Sequence, residues 1–286
     1  MARKKLIKRI TVPEIRERKG AQPIVCLTSY TAPVAEMVDP HVDLILVGDS
    51  VAMVLYGMES TLGISLETMI EHGRAVVRAS QKALVAVDMP FGSYQESKEQ
   101  AFRNASQIMC ETGCQAVKLE GGIEYINQIK EIIKSGIPVM GHIGLTPQSV
   151  LQESGYKIQG KKSEDAFKIY KDALLFEDAG VFALVLEGVP EDLAEIITAK
   201  LNIPTIGIGA GKHCDGQIQV LHDLIGWFGL NIPKHAKAYT NIEKNVKEGI
   251  QQYQNEVKNQ QFPSNVNTNK MKPKELLALK KKIEDL

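Results

Sequence analysis

Charged side chains follow a series of short apolar segments, each at the point where the segment ends. The segments are rich in Val, Ile and Leu and are bounded by Gly or Pro, which is typical of strands buried on both faces of a parallel sheet. A charged group there is costly to desolvate unless a ligand or a partner interacts with it. We therefore interpret these side chains as the chemical groups of a site; they are Asp49, Asp88, Glu120, His142 and Glu187.

Three of these groups are carboxylates that could hold a divalent cation. Asp49, Asp88 and Glu120 follow three successive apolar segments. Carboxylates that converge raise one another's pKa, and a bound cation keeps them ionised. Mg²⁺ takes oxygen ligands, usually one or two carboxylates together with waters and substrate oxygens. The pattern favours a magnesium site over the alternative that each acid caps the turn after its strand.

Ser50, Lys118 and His142 are candidates for binding an anionic substrate. Lys118 lies two residues before Glu120, so both side chains point to the same face of a strand, which in a barrel is the interior. A buried lysine needs an anionic partner, and an internal salt bridge with one of the acids explains Lys118 as well as a substrate does. His142 could donate a hydrogen bond to a substrate carboxylate or to a backbone carbonyl.

Glu187 is the candidate general base. It ends V-F-A-L-V-L, the most apolar of the segments, so its carboxylate would be partly desolvated and more basic. The alternative is a salt bridge across the mouth of the barrel.

The glycine-rich segment G-I-G-A-G, residues 207–211, follows the next strand, where barrels often bind phosphate; a plain tight turn explains it equally well.

The alternation of strand and helix patterns predicts a (β/α)₈ TIM-type barrel of parallel strands with outer helices. Seven strands are clear, and the last unit, residues 217–228, is the least clear. A closed barrel is favoured over an open doubly wound sheet because the polar groups follow five consecutive strands rather than one switch point. We predict a catalytic barrel over residues 1–250, with a short N-terminal extension, and a polar peripheral tail over residues 251–286 that ends in a short amphipathic helix.

Composition limits the partners and the location. The 286 residues carry a formal net charge of zero, so nothing favours nucleic acid. The basic segment Met1 to Ile10 lacks the apolar core of a signal peptide, and no segment approaches the roughly 20 apolar residues that span a bilayer. The four cysteines form no C-x-x-C pair, which indicates reduced thiols in the cytoplasm; they are Cys26, Cys110, Cys114 and Cys214.

Several segments together resemble the ketopantoate hydroxymethyltransferase family. The resemblance extends in the same order over about Thr11 to Phe262. It rests on V-G-D-S-V-A-M-V-L-Y-G, V-D-M-P-F-G-S-Y, V-K-L-E-G-G, G-H-I-G-L-T-P-Q-S, L-E-G-V-P and G-I-G-A-G-x-x-x-D-G-Q.

The resemblance implies an enzyme of pantothenate biosynthesis. It would transfer a hydroxymethyl group from 5,10-methylenetetrahydrofolate to 3-methyl-2-oxobutanoate, giving 2-dehydropantoate through a Mg²⁺-stabilised enolate. Members of the family assemble as large rings, typically decamers, so a homo-oligomer is expected. Lys212 and His213 depart from the pattern that we expect beside the glycine-rich segment, which leaves the folate contacts open. The implied metal ligands are Asp49 and Asp88, with Glu120 through water; the keto acid would contact Asp49, Ser50, Asp88, Lys118 and His142; and Glu187 would be the catalytic base.

Two alternatives come from other classes of protein. The phosphoenolpyruvate mutase and isocitrate lyase type also stabilises enolates on Mg²⁺, but it carries a D-x-D motif and a catalytic cysteine loop. Here no second aspartate follows Asp88 at a distance of two residues, and Cys114 lies in a predicted turn between a helix and a strand. A non-catalytic barrel that binds a keto acid or a protein partner is the other alternative; it would be supported by loss of a site residue, and none is lost.

Overall fold

Eight parallel strands close into a barrel in chain order, with β8 hydrogen-bonded to β1. The computed structural model describes residues 8–152, 155–229 and 232–286. The predicted (β/α)₈ architecture is confirmed, and the least clear strand exists. The strands are β1 Ile24–Thr28, β2 Leu44–Val47, β3 Leu84–Asp88, β4 Ala116–Glu120, β5 Val139–Gly144, β6 Ala183–Glu187, β7 Thr205–Ile208 and β8 Gly216–Gln219.

Helices cover the outside of the barrel and continue beyond it. Within the described residues they are α1 Val12–Arg16, α2 Ala32–Val38, α3 Val51–Val54, α4 Leu66–Ala79, α5 Lys98–Thr112, α6 Ile126–Lys134, α7 Ser163–Ala179, α8 Glu191–Lys200, α9 Leu221–Leu224, α10 Ile242–Lys258 and α11 Pro273–Glu284.

Alternation along each strand sorts the side chains into two cores. Leu84 and Ala86 of β3 belong to the cluster inside the barrel, whereas Val85 and Val87 belong to the layer beneath the helices. Because successive side chains of a strand point to opposite faces, Asp88 continues the inward-facing row. The same alternation operates on β4, β5 and β6, and it directs their last polar residues into the barrel.

The N-terminal segment closes the opposite end of the barrel. Thr11 and Glu14 form a reciprocal capping box that starts α1, which satisfies backbone donors at the helix N-terminus. Ile15 of this helix is fully buried in the cluster inside the barrel. This apolar plug leaves the carboxyl-terminal mouth as the end at which polar groups are concentrated.

The C-terminal helices lie outside the core. Neither α10 nor α11 buries a side chain. Helix α10 spans residue 251, where the composition of the chain changes, and α11 lies in the segment predicted to form a short helix. Among the described residues, no helix combines the length and apolar composition needed to cross a bilayer.

A glycine in β5 allows α7 to pack closely behind the site. A Cβ atom at Gly141 would overlap the ring of the fully buried Phe176 and would lie 3.0 Å from Leu184 Cδ1. We expect Gly141→Ala to lower the free energy of unfolding by about 1–3 kcal/mol, because overpacking forces a shift of the backbone or of side chains. Urea unfolding followed by circular dichroism measures this change.

The matched control is Gly249→Ala in α10, where nothing lies within 4 Å of the added methyl group. The same substitution should there raise helix stability by about 1 kcal/mol, because alanine loses less backbone entropy than glycine. Equal effects at the two positions would contradict the close-packing explanation for Gly141.

Candidate active site

A cavity of about 740 Å³ opens at the carboxyl-terminal mouth of the barrel. Loops after most of the strands contribute to its wall, as is general for barrels of this type. All seven predicted site residues line it, namely Asp49, Ser50, Asp88, Lys118, Glu120, His142 and Glu187.

Asp88 and Lys118 form a buried ion pair at the centre of the mouth. The two residues are partners in the register of β3 and β4, and Lys118 Nζ donates to Asp88 Oδ1 at 2.6 Å. Burial opposes a charge on the lysine, but the carboxylates of Asp88, Glu120 and Asp49 outweigh it and raise the pKa of Lys118. The internal salt bridge considered from the sequence is therefore present, with the charged amine facing the cavity.

Asp49 lies in the turn after β2, beside the ion pair. Its backbone N–H donates to Asp88 Oδ2 at 3.0 Å, and its own Oδ2 accepts a hydrogen bond from Gln148 Nε2 at 2.9 Å. Burial raises the pKa of Asp49 to about 8, and the nearby Asp88 and Glu120 add to this effect. Burial also raises the pKa of Asp88, although Lys118 opposes it. Lys118 alone does not offset this much negative charge.

His142 bridges two carboxylates on the other side of the mouth. Its Nδ1 lies 3.1 Å from Glu120 Oε2, and its Nε2 lies 3.3 Å from Glu187 Oε2. Both nitrogens are buried and neither is aligned for a well-formed hydrogen bond. Burial and Lys118 disfavour the charged ring, yet the two flanking carboxylates raise its pKa to about 9. His142 therefore contributes a second positive charge to this acidic mouth at neutral pH.

Gln148 is a site residue that the sequence reasoning missed. This buried residue follows β5, and its backbone N–H donates to Glu120 Oε1. Its side-chain Nε2 donates to Asp49 and to the carbonyl of Met89, and its Oε1 accepts a hydrogen bond from the Tyr94 hydroxyl at 2.8 Å. The motif G-H-I-G-L-T-P-Q-S contains it, but no local pattern indicates that the amide turns inward.

Tyr30 is a second residue that the sequence reasoning missed. Its hydroxyl lies 2.8 Å from Ser50 Oγ, and its ring is fully buried. Burial raises the pKa of this phenol, so it remains neutral and can donate to, or accept from, the serine. Ser50 is held in place at the edge of the cavity as a result.

The glycine-rich segment contributes backbone rather than charge to the site. Ile208 and Gly209 line the cavity, and Gly209 adopts a positive φ of 64° with His235 Cβ only 3.1 Å from where its own Cβ would lie. Lys212 and His213 do not line the cavity; His213 lies 3.4 Å from Glu191 at the start of α8.

The donor set matches a divalent cation with few protein ligands. No three acidic, imidazole or thiol side chains in the described parts of the chain converge on one point as a complete ligand set. Mg²⁺ does not need such a set, since one or two carboxylates with waters and substrate oxygens suffice. Asp49 has one carboxylate oxygen with no hydrogen bond from the described residues, and a cation there would compensate the negative charge of Asp49, Asp88 and Glu120.

Asp49 makes the stability of the metal-free protein depend on pH. An unfolded aspartate ionises near pH 4, whereas folded Asp49 ionises near pH 8, so the folded state retains a proton between these values. The contribution of Asp49 to the free energy of unfolding is therefore complete below about pH 4 and is lost as pH rises toward 8. In EDTA, we expect Asp49→Asn to gain on the order of 3 kcal/mol relative to the wild type between pH 5 and pH 8. Urea unfolding at both pH values measures the difference; a difference that does not change with pH would contradict the assignment.

Solved structures with this fold include enzymes of the alternative class. The chain superimposes on phosphonopyruvate hydrolase with a TM-score of 0.58 and 12% identity, covering 96% of each chain. It superimposes on 2,3-dimethylmalate lyase, a PEP mutase/isocitrate lyase superfamily member, with a TM-score of 0.55 and 14% identity, covering 96% of this chain and 98% of that one. At these identities the likeness shows the barrel fold alone.

Sequence comparison points to a different family. The 3-methyl-2-oxobutanoate hydroxymethyltransferase of Bartonella tribocorum is 54% identical over 268 residues, covering 94% of this chain and 98% of the relative. The protein of the same name from Paramagnetospirillum magneticum is 53% identical over 257 residues, covering 90% and 94%. The family model for ketopantoate hydroxymethyltransferase matches residues 9–265. The chain belongs to the ketopantoate hydroxymethyltransferase family.

Proposed function

We propose that this protein transfers a hydroxymethyl group from 5,10-methylenetetrahydrofolate to 3-methyl-2-oxobutanoate, giving 2-dehydropantoate for pantothenate synthesis. Membership of the family and the shared name of its relatives support the reaction. The observation that carries the proposal is the side-by-side placement of a buried lysine–aspartate pair and a histidine between two glutamates at one cavity. The lysine of the pair can bind an anionic substrate, and a glutamate beside the histidine can remove a proton.

The keto acid has a carboxylate that positively charged side chains would attract. Lys118 and His142 supply two positive charges that line the cavity, and Ser50 adds a hydroxyl group. Hydrogen bonds to charged groups in a water-poor site are strong. On substrate binding, the Lys118 ammonium would share its hydrogen bonds between Asp88 and the substrate. We assign these three side chains to orientation of the keto acid.

Magnesium is the proposed cofactor. Asp49 and Asp88 would bind Mg²⁺ directly, with Glu120 acting through water, and the ion would polarise the keto group and stabilise the negative charge that develops on its oxygen. Burial, and after it the nearby Asp88 and Glu120, raises the pKa of Asp49, and a bound cation would favour the ionised carboxylate against these effects. Glu120 is already engaged by Gln148 and His142, which is consistent with an indirect role.

Glu187 is the proposed general base. Its side chain is 18% exposed at the cavity, and His142 lies 3.3 Å away with the positive charge that holds the carboxylate in position. The C3 proton of the keto acid passes to Glu187, and C3 of the resulting enolate forms the new carbon–carbon bond to the one-carbon unit. One water supplies the hydroxyl oxygen. The C3 proton and one proton of that water end on the two folate nitrogens that the methylene carbon leaves, so the reaction balances.

A homo-oligomer is proposed from the family resemblance. Helix α10 presents an exposed apolar stripe that would be covered in an assembly, formed by Val246, Ile250, Tyr253 and Val257.

Exchange of the C3 proton tests the base. With 3-methyl-2-oxobutanoate and Mg²⁺ in D₂O, and without folate, wild-type protein should remove the C3 proton signal in proton NMR. Glu187→Gln should slow this exchange by about 10²–10⁴-fold, since it removes a positioned base from a nearly isosteric side chain. EDTA should abolish it in the wild type.

Asp178→Asn is the matched control for this experiment, because Asp178 is exposed and pairs only with Lys130 at 3.5 Å among the described residues. Undiminished exchange in Glu187→Gln would contradict the assignment of the base. Absence of 2-dehydropantoate after addition of methylenetetrahydrofolate to active wild-type protein would contradict the transferase, and absence of any exchange or product would favour a binding protein.

Metal binding is tested by thermal unfolding at pH 8. Mg²⁺ at about 100 times its Kd stabilises a folded protein by about 2.7 kcal/mol, which should raise the Tm of the wild type by several degrees. Asp49→Asn and Asp88→Asn should each show a much smaller shift relative to their own Tm in EDTA, and Asp178→Asn should show the full shift. Full shifts in both site variants would place the ion elsewhere.

A further inference from the structure

The cavity is much larger than the keto acid requires. Its volume of about 740 Å³ lies within the range that accommodates a drug-sized molecule, whereas the keto acid has only five carbons. The acidic groups described above lie on the side formed by β2 to β6. The remaining volume faces β7, β8 and the segment after β8, and nothing in the proposed chemistry of the keto acid uses it.

Asp223 provides a carboxylate on this second side. It lies in α9 directly after β8 and lines the cavity, half-buried. No hydrogen bond or ion pair to its carboxylate comes from the described residues; burial raises the pKa of Asp223, and His235 is the one group that opposes this. The Leu221 N–H donates to Thr28 Oγ1 at 3.0 Å, which fixes α9 against the end of β1.

The position of Asp223 relative to the reacting groups is set by the barrel. In a closed ring of eight strands β8 lies opposite β4, so the end of β8, from which the chain enters α9, lies across the mouth from the end of β4. Apolar side chains of β7, β8 and the residue after β8 line the cavity on the same side, which offers a surface for a flat ring; they are Ile208, Ile218 and Val220.

The proposed one-carbon donor has the complementary chemistry. The pterin ring of a reduced folate carries two adjacent donors, the 2-amino group and N3–H, on the edge that lies farthest from its one-carbon unit. A carboxylate accepts such a pair of donors with two parallel hydrogen bonds. Among the described residues, the other acids that line the cavity are Asp49, Asp88, Glu120 and Glu187, which the reaction at the keto acid already uses.

We propose that Asp223 binds the donor edge of the pterin ring of the folate co-substrate, with the ring packed against the apolar wall beside β7 and β8. This inference rests on the proposed function, in which folate is the donor. The pterin edge would be anchored at one side of the mouth and the methylene carbon directed toward the keto acid at the other. Asp223 is in this assignment a specificity-determining residue that takes no part in proton transfer.

Binding of tetrahydrofolate to the full-length protein tests the inference directly. Trp227 is the only tryptophan in the chain, and it packs edge-on against His222, next to Asp223, so quenching of its fluorescence reports binding close by. We expect Asp223→Asn to raise the Kd for tetrahydrofolate about 10–100-fold, since a charged hydrogen-bond pair is lost. Asp178→Asn should bind like the wild type. Exchange of the C3 proton without folate should be unchanged in Asp223→Asn, which shows that the mouth is intact.

A ligand without the 2-amino group separates recognition from a structural role. Replacement of this group by methyl in the tetrahydrofolate should weaken binding to the wild type about 10-fold or more, and should cause no comparable loss in Asp223→Asn. An equal loss in both proteins, or equal affinity of both for tetrahydrofolate, would overturn the role of Asp223 and leave the proposed transferase standing. Failure of the wild type to bind tetrahydrofolate at all would overturn the folate donor and this inference together.

Discussion

The mouth of the barrel holds several carboxylates together away from water, and the rest of the site depends on how that charge is balanced. Asp49, Asp88 and Glu120 are all nearly inaccessible to solvent. Like charges in a water-poor environment repel strongly unless positive groups or donors lie close to them. Lys118 balances the aspartates, and His142 balances the two glutamates beside it. The remaining negative charge is what a divalent cation and the proposed anionic substrate would meet together.

Gln148 connects the loops that carry these charges. Its amide group and its backbone N–H contact residues that follow β2 and β3 and the last residue of β4, although Gln148 lies beyond β5. A buried amide with its donors and acceptor paired permits one arrangement of its neighbours, because any other would leave a polar group unsatisfied. The loops after β2, β3 and β5 and the end of β4 are thereby held in one geometry by a neutral side chain, which adds no charge to an acidic site.

The two sides of the mouth differ in character. The side from β2 to β6 concentrates the ionisable groups, and these contact one another so that movement of one proton affects its neighbours. The side from β7 to α9 is mainly apolar, with Asp223 as its carboxylate. This division suits a reaction between a small charged molecule and a larger, flatter one, since each side can bind its molecule without competing for the same groups. It also keeps the proposed base, Glu187, at the boundary between them, where the new bond would form.

The sequence by itself determined the barrel and the identity of most groups at its mouth. Apolar runs with a polar residue at the end are local signals, and period-two alternation places Lys118 and Glu120 on one face without any tertiary information. The sequence motifs indicated membership of the family, and the comparisons confirmed it. Only the tertiary structure decided which side chains pair with one another at the site. Lys118 pairs with Asp88 because strand register brings them together. Gln148 and Tyr30 reach the site from loops, and Asp223 from the short helix α9, and no local sequence pattern marks any of the three. Side-chain pairing across a barrel depends on closure and register, which are properties of all eight strands at once and of no single segment.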